Sequence, residues 1–192
     1  MDALDLADFR AAVARMYLAD TDLAAFRAAR DDLFREHPMS PIPRDAEFDG
    51  VRYFPPDEDA VVEATLTPAD GELEIDTGGP DGVCRYRRIG ILDTPVGELS
   101  LWWFQAYGGG LFLPVRDATC GRDSYGGGRY LTDTVKGTHG RGLVQLSGDR
   151  VRLDFNYLYN PSCAYDDRWL CPLAPRENTI RAEIRAGELK YH

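Results

Sequence analysis

A chain of 192 residues, 44% hydrophobic and 28% charged, holds enough apolar material for one packed domain and is too apolar for wholesale disorder. Its 32 acids against 22 bases give a formal charge of -10, which repels nucleic-acid phosphates and anionic membrane surfaces alike. No apolar run approaches the ~18–20 residues of a membrane span, and the acidic start MDALDLADFR is the reverse of a signal peptide, so a soluble cytoplasmic protein is expected.

Residues 1–36 read as two helices packed on the body. Leu6, Phe9, Val13, Met16 and Tyr17 form one apolar stripe, and Leu23, Phe26, Ala29 and Leu33 form a second. Asp20 or Thr21 is placed to cap the second helix, with Asp22 in its first turn. That helix ends by His37, because Pro38 disfavours helix in the residue before it. Residues 37–60 carry too many prolines for regular structure and too many apolar side chains for a free linker, which suggests an extended arm packed on the rest.

From residue 61 to 192 the period becomes two and the segments shorten. VVEATLT, VCRYRRIGIL, ELSLWWFQ, GLFLPV, RGLVQLS, RVRLDFN and TIRAEIR have the β-branched, aromatic and alternating pattern of strands. Turn residues separate them, and Ser147-Gly148-Asp149 marks a hairpin. The expected fold is mainly β: an antiparallel barrel or roll of about 8–10 short strands carrying an N-terminal helical hairpin, all one globular unit. Three consecutive aromatics, Trp102, Trp103 and Phe104, cannot all face one way on a strand.

The basic residues are lopsided: Lys136 and Lys190 are the two lysines among 22 basic residues. Arginine's fixed fork suits buried ion pairs, but codon usage explains such a bias equally well. The four cysteines, at 84, 120, 163 and 171, form no CxxC. They fit buried thiols, or a Cys163–Cys171 disulfide worth roughly 2–3 kcal/mol, or a metal site that would need further ligands. His37, His139 and His192 show no ligand spacing, so no metal and no cofactor are expected. The glycine runs lack the phosphate-binding pattern and read as turns. GxSxG and HExxH are absent. A paired-carboxylate mechanism is open to Asp117 and Asp154, with Glu188 as a third acid.

The strings RDATCGRDSYGGGRYL, LDFNYLYNPSCAYDDRWLCPLAPREN and RAGE, with RYFP at 52–55, together resemble the signature of the bacterial family catalogued as domain of unknown function 1684. The chain looks like a short form of it, without the N-terminal region of longer relatives and with Ser162 in place of a second proline. The resemblance implies no activity, substrate or cofactor. It implies that the polar motifs form one unit.

On that basis Asp117, Arg129 and Asp154 are the candidate catalytic residues. Tyr125, Arg129, Asp154, Asn156, Asn160 and Tyr165 are candidates for binding a small polar ligand. Convergence around an open pocket would mean a binding or hydrolase-like site. A closed, satisfied cluster would be a structural staple in a non-catalytic or protein-interaction module. Neither nucleic acid nor membrane is expected as a partner.

Overall fold

The computed structural model describes residues 3–79 and 82–192. Helix α1 (Ala3–Leu18) buries Val13, Met16 and Tyr17 from the expected stripe. Helix α2 (Leu23–Glu36) starts slightly later than expected: Asp22 is itself the N-cap, and its carboxylate accepts from the Ala25 N–H at 2.8 Å. The helix is also rotated. It buries Phe26, Arg30 and Phe34, while Ala29 stays exposed. A charged residue thus sits in the middle of the apolar face, at the i, i+4, i+8 spacing of one helix side. The two helices meet through Tyr17 and Phe26, whose rings pack edge-on at 5.0 Å.

The buried side chain of Arg141 fastens this hairpin to the body. Its guanidinium donates to the carbonyls of Tyr17, Ala19 and Thr21, the Thr21 hydroxyl and the Tyr157 hydroxyl. The end of a helix leaves carbonyls without intrahelical partners, and one planar fork of donors satisfies several at once. No helix among the described residues is long and apolar enough to cross a membrane.

The rest is a nearly closed antiparallel barrel of eight strands: β1 (Val61–Thr67), β2 (Glu72–Asp76), β3 (Val83–Thr94), β4 (Gly97–Phe104), β5 (Leu111–Val115), β6 (Arg129–Asp133), β7 (Leu143–Gln145) and β8 (Arg150–Asp154). The spatial order is β6-β5-β4-β3-β1-β8-β7, with β2 also paired to β3. The β7–β8 hairpin turns at Ser147-Gly148-Asp149, and Gly148 supplies the positive φ of 60°. Strands β5 and β6 show the alternation most clearly. Leu113, Val115 and Leu131 point into the main core with Leu92, Leu99, Leu153 and Phe155. Phe112 and Tyr130 join Tyr86, Trp102 and Tyr159 in an aromatic layer on the other face. Trp102 is fully buried while its neighbour Trp103 is 37% exposed, as alternation requires.

Three segments depart from the sequence reading. ELEID and RYLTD are strands that it omitted, and TIRAEIR is not a strand. TIRAEIR has the right alternation but runs irregularly, stitched down in part by side chains. Its main chain pairs with Arg116 and Ala118, and the Ile184 N–H donates to the Asp117 carboxylate at 2.7 Å. Further on, Gly187 has φ +76°, and a Cβ there would lie 2.5 Å from the Leu158 carbonyl. Only glycine lets the chain press onto Leu158, and this aims the next residue, Glu188, inward. The arm is packed through Ile42 and Phe54, both buried.

Candidate functional site

The sequence candidates fall into three separate nests, and the single Asp117–Arg129–Asp154 cluster does not form. In the first nest Arg129, at the start of β6, meets Asp117 from the loop after β5, Nη2 to Oδ1 at 3.1 Å, with both side chains wholly buried. The same guanidinium donates to the carbonyls of Ile184 (2.9 Å), Ala186 and Glu188 (3.1 Å). The other Asp117 oxygen accepts from the Thr119 and Ile184 backbone N–H groups. Burial pulls Arg129 below the ordinary arginine value, and Asp117 opposes that shift. This cluster is buried and lines neither of the two cavities described below.

Asp154 stands apart. It caps the turn Phe155–Tyr157, accepting from the Asn156 N–H and side-chain amide, each at 3.0 Å. Asn156 in turn clasps Asp57 of the arm, accepting from its N–H and donating to its carbonyl. These two residues bind the arm to the barrel. No ion pair or hydrogen bond joins Asp154 to Arg129 among the described residues, because strand β8 ends at Asp154 and the chain turns into the 3-10 turn there.

The third nest holds Asn160, Tyr165 and Glu188, together with Arg30, which the sequence reading missed. Glu188 Oε1 accepts from Arg30 Nε at 2.5 Å. Its Oε2 accepts from the Asn160 N–H at 2.7 Å and the Tyr165 hydroxyl at 2.6 Å. Arg30 and Glu188 are both almost wholly buried. Burial is the largest influence and would lower Arg30, but Glu188 with Tyr165, Tyr53 and Tyr17 together outweigh it and the net shift is upward. Burial and then Glu188 both hold the Tyr165 phenol protonated. The guanidinium also lies over the Phe34 ring at 4.3 Å.

This third nest borders a cavity of about 250 Å³ between the helical hairpin and the barrel. Leu6, Phe9, Val13, Phe34, Trp169 and Leu170 give it apolar walls. Its charged residues are Arg10, Arg30, Lys136 and Arg168, with no carboxylate among the lining residues. Glu188 lies behind Arg30, and Asp166 pairs with Arg168 at 3.2 Å. Arg10 and Lys136 are in no salt bridge among the described residues. Two buried polar atoms of lining residues lack a protein partner: the Asn160 side-chain oxygen and the Trp169 indole N–H. A wider hollow of about 410 Å³ lies over the arm, but its wall is one continuous stretch between Phe34 and Phe48 with charges of both signs.

Of the sequence candidates, Asn160 and Tyr165 line the main cavity; Asp117, Tyr125, Arg129, Asp154 and Asn156 do not. Tyr125 instead meets the Cys163 sulfur at 3.7 Å. Asp117, Asp154 and Glu188 are each committed to different partners and line neither of these two cavities, so they are not brought together as a carboxylate pair. None of the four cysteines is in a disulfide. Two of them, Cys163 and Cys171, touch, and Cys171 lines the cavity with Lys136.

A mainly β barrel with an N-terminal helical hairpin and a buried Asp–Arg staple is therefore the class of molecule. Residues 46–189 match the family model described as protein of unknown function (DUF1684), and the chain belongs to that family. It is also similar to the solution NMR structure of an uncharacterized protein from gene locus rrnAC0354 of Haloarcula marismortui. The two share 36% identity over 87% of this chain and 91% of that one, with a TM-score of 0.59. No curated protein matches the chain.

Proposed function

We propose that the protein binds a small amphipathic anion, a carboxylate or phosphate head on an apolar tail, in the cavity under the helical hairpin. One observation carries the reading: the wall holds four cationic side chains and no carboxylate in a chain of formal charge -10. In an acidic protein, a concave low-dielectric patch of the opposite sign concentrates anions. The apolar walls suit a hydrocarbon or aromatic tail. The free Trp169 N–H suits the anionic head, and the free Asn160 oxygen suits a hydroxyl or a protonated group on the ligand.

Titration calorimetry with octanoate, octanol and octylamine tests this. Octanoate should bind, octanol more weakly, and octylamine not at all. Replacing Lys136 with Gln should weaken octanoate by about tenfold, equivalent to ~1.4 kcal/mol. Equal binding of octanol and octanoate, or an unchanged affinity in the Lys136→Gln protein, would end the anion reading.

A further inference from the structure

The same cavity wall carries a cysteine pair that anion binding leaves unused, beside the Lys136 that the two share. The Cys171 sulfur accepts from the Lys136 ammonium at 3.7 Å. The thiol and backbone N–H of Cys163 lie beside the same sulfur and act on it electrostatically. An ammonium on one sulfur, with a second thiol beside it, makes the surroundings of a thiolate. Cys171 and Lys136 both line the cavity, so the sulfur borders the space a small reagent would occupy. Among the described residues no group of three His, Cys, Asp or Glu side chains is placed to hold a metal.

Other charged and titratable groups nearby are Arg10 and Arg168 of the cavity wall, three tyrosines, Asp133 and Asp167. Tyr86, Tyr125 and Tyr130 are all pushed upward by burial and stay protonated, while Asp133 acts on Lys136 from the end of β6. The Cys163 hydrogen bond lowers Cys171, burial opposes this, and Lys136 lowers it further; the net shift is downward. Cys163 moves up, because it is the donor to that sulfur and is itself buried. The two cysteines therefore have opposite roles available: one is the nucleophile, and the other a protonated thiol in contact with it.

We propose that Cys171 and Cys163 are a redox pair that reacts with a hydroperoxide in the cavity and closes to a disulfide. The Cys171 thiolate attacks one peroxide oxygen. The S–O bond forms as the O–O bond breaks, and the departing oxygen keeps the electron pair of that bond. It takes a proton from the Lys136 ammonium and leaves as an alcohol, or as water when the reagent is hydrogen peroxide. Sulfur is oxidised by two electrons to the sulfenic acid, and the peroxide is reduced by two. The Cys163 thiol then attacks that sulfur, the S–S bond forms, and the S–O oxygen leaves as water with the thiol proton. Lys136 is reprotonated from solvent. This chemistry does not require an anion to bind, so either proposal can fail alone.

The test is hydrogen peroxide treatment of the full chain followed by intact-mass and peptide analysis. The wild type should become lighter by two hydrogens, with Cys163 and Cys171 joined. Cys163→Ser should instead accumulate a sulfenic acid at Cys171 that dimedone traps, and Cys171→Ser should give neither product. Iodoacetamide alkylation of Cys171 should show a pH midpoint at least one unit below the ~8.5 of a free thiol. Lys136→Gln should move that midpoint up, and Lys136→Arg should restore it. Preferential oxidation at Cys84 or Cys120, or an alkylation midpoint at the free-thiol value, would overturn the proposal. Circular dichroism on each variant separates loss of reactivity from loss of fold.

Discussion

Arg129→Ala is expected to leave little or no folded protein. The substitution strands the buried Asp117 carboxylate and removes the donor from three carbonyls at 184, 186 and 188. Breaking a buried ion pair by deleting one partner costs about 3–5 kcal/mol, and unpaired buried carbonyls add to it. The total rivals the 5–15 kcal/mol by which a domain is ordinarily stable. Arg129→Lys should rescue little, since an ammonium cannot reproduce the planar fork that reaches Asp117 and the three carbonyls. Urea unfolding of soluble material from each variant checks this. A midpoint within experimental error of the wild type would show that the cluster is not a staple.

The second large effect is at Glu188. Glu188→Gln removes the charge that compensates Arg30 while keeping the side chain's shape, and should cost about 3–5 kcal/mol. For a domain of this size that lowers Tm by roughly 6–20 °C. The double change Arg30→Met with Glu188→Leu should recover only part of the loss, because an apolar pair needs no charge compensation but leaves the Asn160 N–H and the Tyr165 hydroxyl without their acceptor. Differential scanning calorimetry on the single and the double variant beside the wild type measures both effects. Glu188 also links the two buried clusters: Arg129 holds its carbonyl and Arg30 holds its carboxylate. The C-terminal segment is thus the tie between the barrel and the helix that roofs the cavity.

The barrel was largely legible, because inward and outward positions alternate and each segment is bounded by turn residues. TIRAEIR misled because alternation reports only which side chains are buried. It says nothing of whether a neighbouring strand or a side chain takes the backbone groups. Asp117 and Arg129 were legible as a pair through their shared motif. Asp154 was wrongly added to them because a strand end and a strand interior look alike in sequence. Arg30 was hidden for a different reason. A charge inside an apolar stripe reads as the edge of the stripe, and its partner Glu188 lies 158 residues away. The spacing Phe26, Arg30, Phe34 was the available signal. Lys136 was conspicuous as a lysine among arginines, but its setting depends on how the hairpin docks. Periodicity cannot specify that docking.

The anion-binding cavity is tested most directly by the indole N–H signals of the three tryptophans in a proton–nitrogen spectrum during octanoate titration. Trp102 is tied to Asn178 at 2.8 Å, and Trp103 lies outside the cavity, so both should hold still. The unpartnered Trp169 N–H should move, saturably, and the shift should shrink in the Lys136→Gln protein. A Trp169 signal that stays fixed while octanoate binds, or a shift confined to exposed Trp103, would contradict a site beneath the helices.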